Sequence, residues 1–103
     1  MSLSGRVCVI TGGGRGIGRH TAGVFARNGA ALALCARTAS DLDEAKAEAE
    51  ALGAEVLTGA VDVADPAAVR SFAGEVEARF GRADVLVNCA GIQGPVGPIT
   101  DVD

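Results

Sequence analysis

The residues of this 103-residue chain whose types and spacing best suit chemistry are Thr11-Gly12-Gly13-Gly14-Arg15-Gly16-Ile17-Gly18. They stand between a short apolar run and a segment with helical periodicity. Glycine at such a junction lets the backbone turn sharply and lets a bulky anion come close to the first turn of the helix. The unpaired N–H groups and positive dipole end found there suit a pyrophosphate. Spacing then separates this loop from other phosphate loops. A P-loop needs Lys and then Ser or Thr after its last glycine, whereas Gly18 is followed by Arg19 and His20. G-x-G-x-x-G fails from every starting glycine, because a required glycine falls on Arg15, Ile17 or another non-glycine. The pattern that fits is T-G-x-x-x-G-x-G, through Thr11, Gly12, Gly16 and Gly18.

Charge points to the same part of the chain. Residues 1–40 hold Arg6, Arg15, Arg19, Arg27 and Arg37 and no acid, while all 13 acidic residues follow Ser40. This asymmetry has two readings, an anion site in the first third or solvated helix faces that happen to carry arginine. Other reactive side chains are few. His20 falls on the first helical segment and Lys46, the single lysine, on an acidic one. Cys8, Cys35 and Cys89 are odd in number and widely spaced, each in or at the end of an apolar run. Buried, reduced thiols are therefore expected rather than a disulfide framework or a zinc site.

These residues must be positioned by a regular alternation of elements. Residues 7–10, 30–36 and 85–87 are continuously apolar, as strands covered on both faces require. Residues 55–61 form a weaker fourth candidate, interrupted by Thr58 and Gly59. Between the runs the period becomes helical, through Ile17, Thr21, Val24, Phe25 and Asn28, then Leu42, Ala45, Ala49 and Leu52, then Val69, Phe72, Ala73, Val76 and Phe80. Gly29, Gly53 and Gly81 follow the three segments. Asp65-Pro66 has the form of an N-cap followed by proline at the first helical position, and Thr38 or Ser40 caps the middle helix. Residues 92–103, with Gly94, Pro95, Gly97 and Pro98, read as a loop leaving the fourth strand. The expected fold is α/β, a partial doubly wound (Rossmann-type) parallel sheet in strand order 3-2-1-4 with three helices.

With the glycine pattern in this context, the chain resembles the short-chain dehydrogenase/reductase family. Two further segments match in order. Asp62-Val63 ends the third strand, where the family places an aspartate near the adenine ring. Asn88-Cys89-Ala90-Gly91 resembles the family's N-N-A-G, with Cys89 in place of its second Asn. The resemblance implies a cofactor site built from Gly12, Gly14, Arg15, Gly16, Ile17, Gly18, Arg37, Asp62, Val63, Asn88, Ala90 and Gly91. A dinucleotide site that selects NAD commonly carries an acid about 20 residues past its glycines. Here no acid precedes Asp41 and the second strand ends in Cys35-Ala36-Arg37, so the expected cofactor is NADP, with Arg37 and Arg15 facing its 2'-phosphate.

The resemblance implies an oxidoreductase that moves hydride between NADP(H) and a small carbonyl or alcohol substrate, homo-oligomeric at full length. The family's Tyr-x-x-x-Lys pair, Ser and further Asn lie beyond N-N-A-G, and this sequence contains no tyrosine. The 103 residues are thus expected to be the N-terminal part of a dinucleotide-binding domain, with cofactor-binding but no catalytic residues. A non-catalytic NADP-binding module and an inert remnant remain alternatives. A net charge of -4 and three aromatic residues, all Phe, argue against nucleic acid as a partner. No apolar run reaches the roughly 20 residues of a membrane span, and residues 1–6 do not form a signal sequence, so a cytoplasmic location is expected.

Overall fold

The computed structural model describes residues 2–12 and 16–89. Its elements alternate as β1 (Val7–Thr11), α1 (Gly16–Arg27), β2 (Ala31–Ala36), α2 (Ala39–Ala51), β3 (Val56–Ala60), α3 (Pro66–Phe80) and β4 (Val85–Asn88). The four strands form one parallel sheet in the order β3-β2-β1-β4, as expected from the sequence. Gly14, Arg15, Ala90, Gly91 and the loop expected over 92–103 lie outside the described residues.

Because side chains alternate across a strand, each apolar run feeds two cores. Cys8, Ile10, Leu32, Leu34, Val56 and Val87 face α1 and α2, which contribute Ala22, Ala26, Leu42, Ala45 and Ala49. Val7, Ala33, Cys35 and Val61 face the other way, against Phe72 and Val76 of α3. Burial on both faces accounts for runs that are apolar throughout.

The helix signals act locally, with one correction of face. The Asp65 carboxylate accepts from the N–H groups of Ala67 at 3.0 Å and Ala68 at 3.4 Å, ahead of Pro66. Gly81 ends α3 in the left-handed conformation. Thr38 is the N-cap residue of α2, without a side-chain cap bond. In α1, however, the buried residues are Gly18, Ala22 and Ala26, while Ile17 is 68% exposed. The larger apolar residues suggested an arc centred one position away. Small side chains let the helix axis lie close to the sheet, so the small-residue arc is the one that packs. Leu52 and Val69 are likewise 44% and 40% exposed, although their periodicity predicted burial.

Among the described residues the α3 side of the sheet is only partly covered. Beside α3 runs an apolar groove of about 740 Å³, floored by Val9 and Leu86 and walled by Val69, Phe72 and Ala73. Among the described residues β4 pairs only with β1, leaving its other edge open.

Candidate cofactor site

Every described residue of the expected site that ends a strand lies at the carboxyl end of the sheet. Thr11 is level with Cys35 of β2 on one side and Asn88 of β4 on the other, while Ala36 is level with Ala60 of β3. Gly12 therefore leaves β1 beside the end of β2, its N–H donating to the Cys35 carbonyl at 2.7 Å. Arg37 leaves β2 exposed, and the Val61 N–H donates to the Ala36 carbonyl at 2.8 Å, setting Asp62 and Val63 next to it in the row. The strand order reverses between β2 and β4 around β1. In open α/β sheets ligands bind in the crevice outside the strand ends at this point.

The backbone beside the described ends of the glycine turn suits a large anion. Gly12 and Gly16 have φ of 73° and 63°, values that side chains with a Cβ rarely adopt. A Cβ built at Gly16 would meet nothing within 4 Å among the described residues. Ile17, exposed, stands on the first turn of α1; Gly18, buried, faces the sheet and lets α1 approach it.

Two site residues make bonds of their own. The Thr11 hydroxyl donates to Asn88 Oδ1 at 2.8 Å, and the Cys89 N–H donates to the Thr11 carbonyl at 3.0 Å, closing β1 onto β4 at the rim. Asp62 Oδ1 accepts from the Ala64 N–H at 2.9 Å, a tight turn that leaves the carboxylate exposed. Val63 is 38% exposed beside the groove.

The arginine-rich first third resolves into separate roles. Arg19 is bound to Glu44 at 3.0 Å and to Glu48, tying α1 to α2 and holding the Glu48 carboxyl below its usual range. Arg6 approaches Asp84 at 3.8 Å, at the amino end of the sheet. Arg27 ends α1, also away from the crevice. Of the five, Arg37 is the described one that stands in the row of strand ends. Cys35, just beneath, is buried, which pushes its thiol up to about 11 and keeps it neutral at physiological pH. Among the described residues no group of His, Cys, Asp and Glu is arranged to hold a metal ion, and no helix is long and apolar enough to cross a membrane.

Two long-range bonds at the ends of the β1–β4 pair could not be read from the sequence. The hydroxyl of Thr11 was visible only as a motif letter, and nothing in the sequence singled out Asp84. Both depend on residues more than 70 positions away, for which one sequence holds no signal.

A parallel sheet wound in this order, with a glycine turn at its reversal point, defines a dinucleotide-binding fold. The chain belongs to the short chain dehydrogenase family, whose model matches residues 6–103. It is 43% identical over 103 residues to a short chain dehydrogenase/reductase of Macrophomina phaseolina, covering 99% of this chain and 59% of that protein. Among solved structures, an NAD+-bound xylitol dehydrogenase superposes with a TM-score of 0.87 at 36% identity, covering 91% of this chain and 36% of the other. A metagenomic short-chain oxidoreductase in complex with NADP gives 0.84 at 42% identity, covering 89% and 42%. The chain thus spans between about a third and three fifths of the length of these relatives.

Proposed function

We propose that residues 1–103 are the N-terminal, cofactor-binding part of an NADP(H)-dependent oxidoreductase that acts on a carbonyl or alcohol carbon. The observation that carries this reading is the end of β2. Its last residues are Cys35 and Ala36, followed by exposed Arg37, with no acid where an NAD site would hold the ribose hydroxyls. Relatives bound to either cofactor superpose closely, so the preference must be read from this chain's own side chains.

In this reading the residues divide the work by strand. Gly12, Gly14, Gly16 and Gly18 shape the turn, and the first turn of α1, with Ile17, receives the pyrophosphate. Arg37 and Arg15 hold the 2'-phosphate through charge-assisted hydrogen bonds. Asp62 and Val63 flank the adenine, while Asn88, Ala90 and Gly91 line the crevice toward the nicotinamide. The bound cofactor supplies the hydride chemistry. The chain has no tyrosine, its Lys46 lies on α2 away from the crevice and its His20 is exposed on α1, so we assign proton transfer to none of these residues.

The test is the affinity of the chain for NADPH and NADH, wild type against Ala36→Asp with Arg37→Ala. A charge-assisted bond contributes about 1.5 to 3 kcal/mol, so NADPH binding should weaken by about one to two orders of magnitude while NADH binding holds or improves. Survival of the NADPH preference in the double variant would remove Arg37 from the pocket.

A further inference from the structure

Asp84 lies at the end of the sheet opposite the crevice, yet its bonds bear on how the crevice is assembled. It grips a single residue of β1 twice. Its N–H donates to the Val7 carbonyl at 2.8 Å, and its Oδ2 accepts from the Val7 N–H at 2.8 Å. Oδ1 accepts from Arg82 Nε at 3.1 Å and from its terminal nitrogen at 2.7 Å, with Arg6 at 3.8 Å. The side chain is only 13% exposed. At the other end of the same pair, Thr11 makes the matching double contact with Asn88 and Cys89.

Between the two grips β4 has four residues, Val85–Asn88, which pair with Cys8 to Thr11. Val85 and Val87 turn toward the α1/α2 core and Leu86 toward the groove. A one-residue slip would exchange these faces and is opposed by burial. A two-residue slip keeps every side chain on its own face, so hydrophobic patterning opposes it weakly. Yet at about 3.3 Å per residue in a parallel strand it would carry Asn88 about 7 Å from Thr11. It would also strip the Val7 N–H of its acceptor, and a buried donor left unpaired is costly.

We propose that Asp84 is a positioning residue for the cofactor crevice: by gripping Val7 it fixes the register in which β4 delivers Asn88 to Thr11. The cofactor part of this proposal rests on the reading of the crevice given above; the register part stands by itself. Asp84 touches no ligand and acts through Asn88.

Hydrogen exchange of the Cys89 amide and the NMR signal of the Asn88 side-chain amide report the register, and NADPH and NADH titrations report the crevice. In Asp84→Ala, Cys89 exchange should quicken about tenfold or more while the β2–β3 ladder keeps its protection. The Asn88 signal should move, and NADPH and NADH affinities should fall together by about tenfold, leaving their ratio unchanged because Arg37 is untouched. Asp84→Asn keeps an oxygen for the Val7 N–H, and Arg82→Ala keeps the grip itself, so both should retain Cys89 protection. If Asp84→Ala unfolds, Asp84→Asn decides alone: retained protection supports the grip and lost protection overturns it. Unchanged Cys89 exchange in a folded Asp84→Ala, or equal loss in Arg82→Ala, also overturns it. A wild-type chain that binds neither cofactor would refute the cofactor reading, while the exchange measurements would still decide the register.

Discussion

At the scale of single residues, the molecule is most sensitive where a side chain is missing or where one carboxylate serves several partners. Gly59 sits in β3 opposite Cys35, and a Cβ there would come within 2.6 Å and 2.8 Å of the Phe72 ring. That ring is 5% exposed and fills the α3 core, so it has little room to yield. Gly59→Ala should therefore lower unfolding stability by about 1 to 3 kcal/mol through overpacking, as read from urea denaturation. Adding Phe72→Leu should recover part of the loss, whereas independent, additive effects would show that the two sites do not touch. Asp84 leads to a pH prediction. The hydrogen bonds from Arg82, then the Val7 N–H, hold its carboxyl below the usual aspartate range. A carboxyl lowered in the folded state contributes stability that is complete above its unfolded value and is lost as pH falls through the folded one. The wild type should thus lose stability below about pH 4, and Asp84→Asn should flatten that part of the profile. An unchanged acid limb would mean that the carboxylate is equally stabilised in the unfolded chain.

At the scale of elements, termini carry much of the specification. α3 begins with Asp65 accepting two N–H groups and Pro66 in the first turn, and ends at Gly81 with φ of 75°. Removing a capping acceptor costs about 1 kcal/mol. Asp65→Ala should therefore lower the melting temperature by about 4 to 8 °C for a domain of this size, while Asp65→Ser should stay close to the wild type. Equal effects of Ala and Ser would indicate that the cap bonds contribute nothing. α2 offers a contrast, since Thr38 occupies the N-cap position without making the side-chain bond. It is held instead by Leu42, Ala45 and Ala49 in the core and by Arg19 reaching across from α1 to Glu44 and Glu48.

At the scale of the whole molecule, the sheet is covered unevenly. Among the described residues two helices lie over one face and one over the other, where the groove of about 740 Å³ opens beside β4. An open apolar strand edge is a template for pairing with another chain. The 103 residues in isolation are expected to associate as concentration rises, with the weight-average mass in sedimentation equilibrium climbing above that of one chain. A charge on the groove floor, as in Leu86→Lys, should reduce the association. A wild type that stays monomeric at high concentration would show the edge to be protected.

The alternation of strands and helices, the sheet order and the cap at Asp65 were legible in the sequence, because each rests on local preference or on a period that a few neighbouring residues display. The row of candidate site residues followed from that order, since consecutive crossovers bring Gly12, Arg37, Asp62 and Asn88 to one end of a parallel sheet. Tertiary structure alone decided which arc of α1 is buried, because the small arc of Gly18, Ala22 and Ala26 wins by closeness of approach rather than by hydrophobicity. It also gave Gly59 its reason. What read as an interruption of the third strand is the space that Phe72 needs. The bonds from Asp84 to Val7 and from Thr11 to Asn88 were likewise beyond the sequence. Each joins residues 77 apart, and only the closed sheet brings such partners within reach.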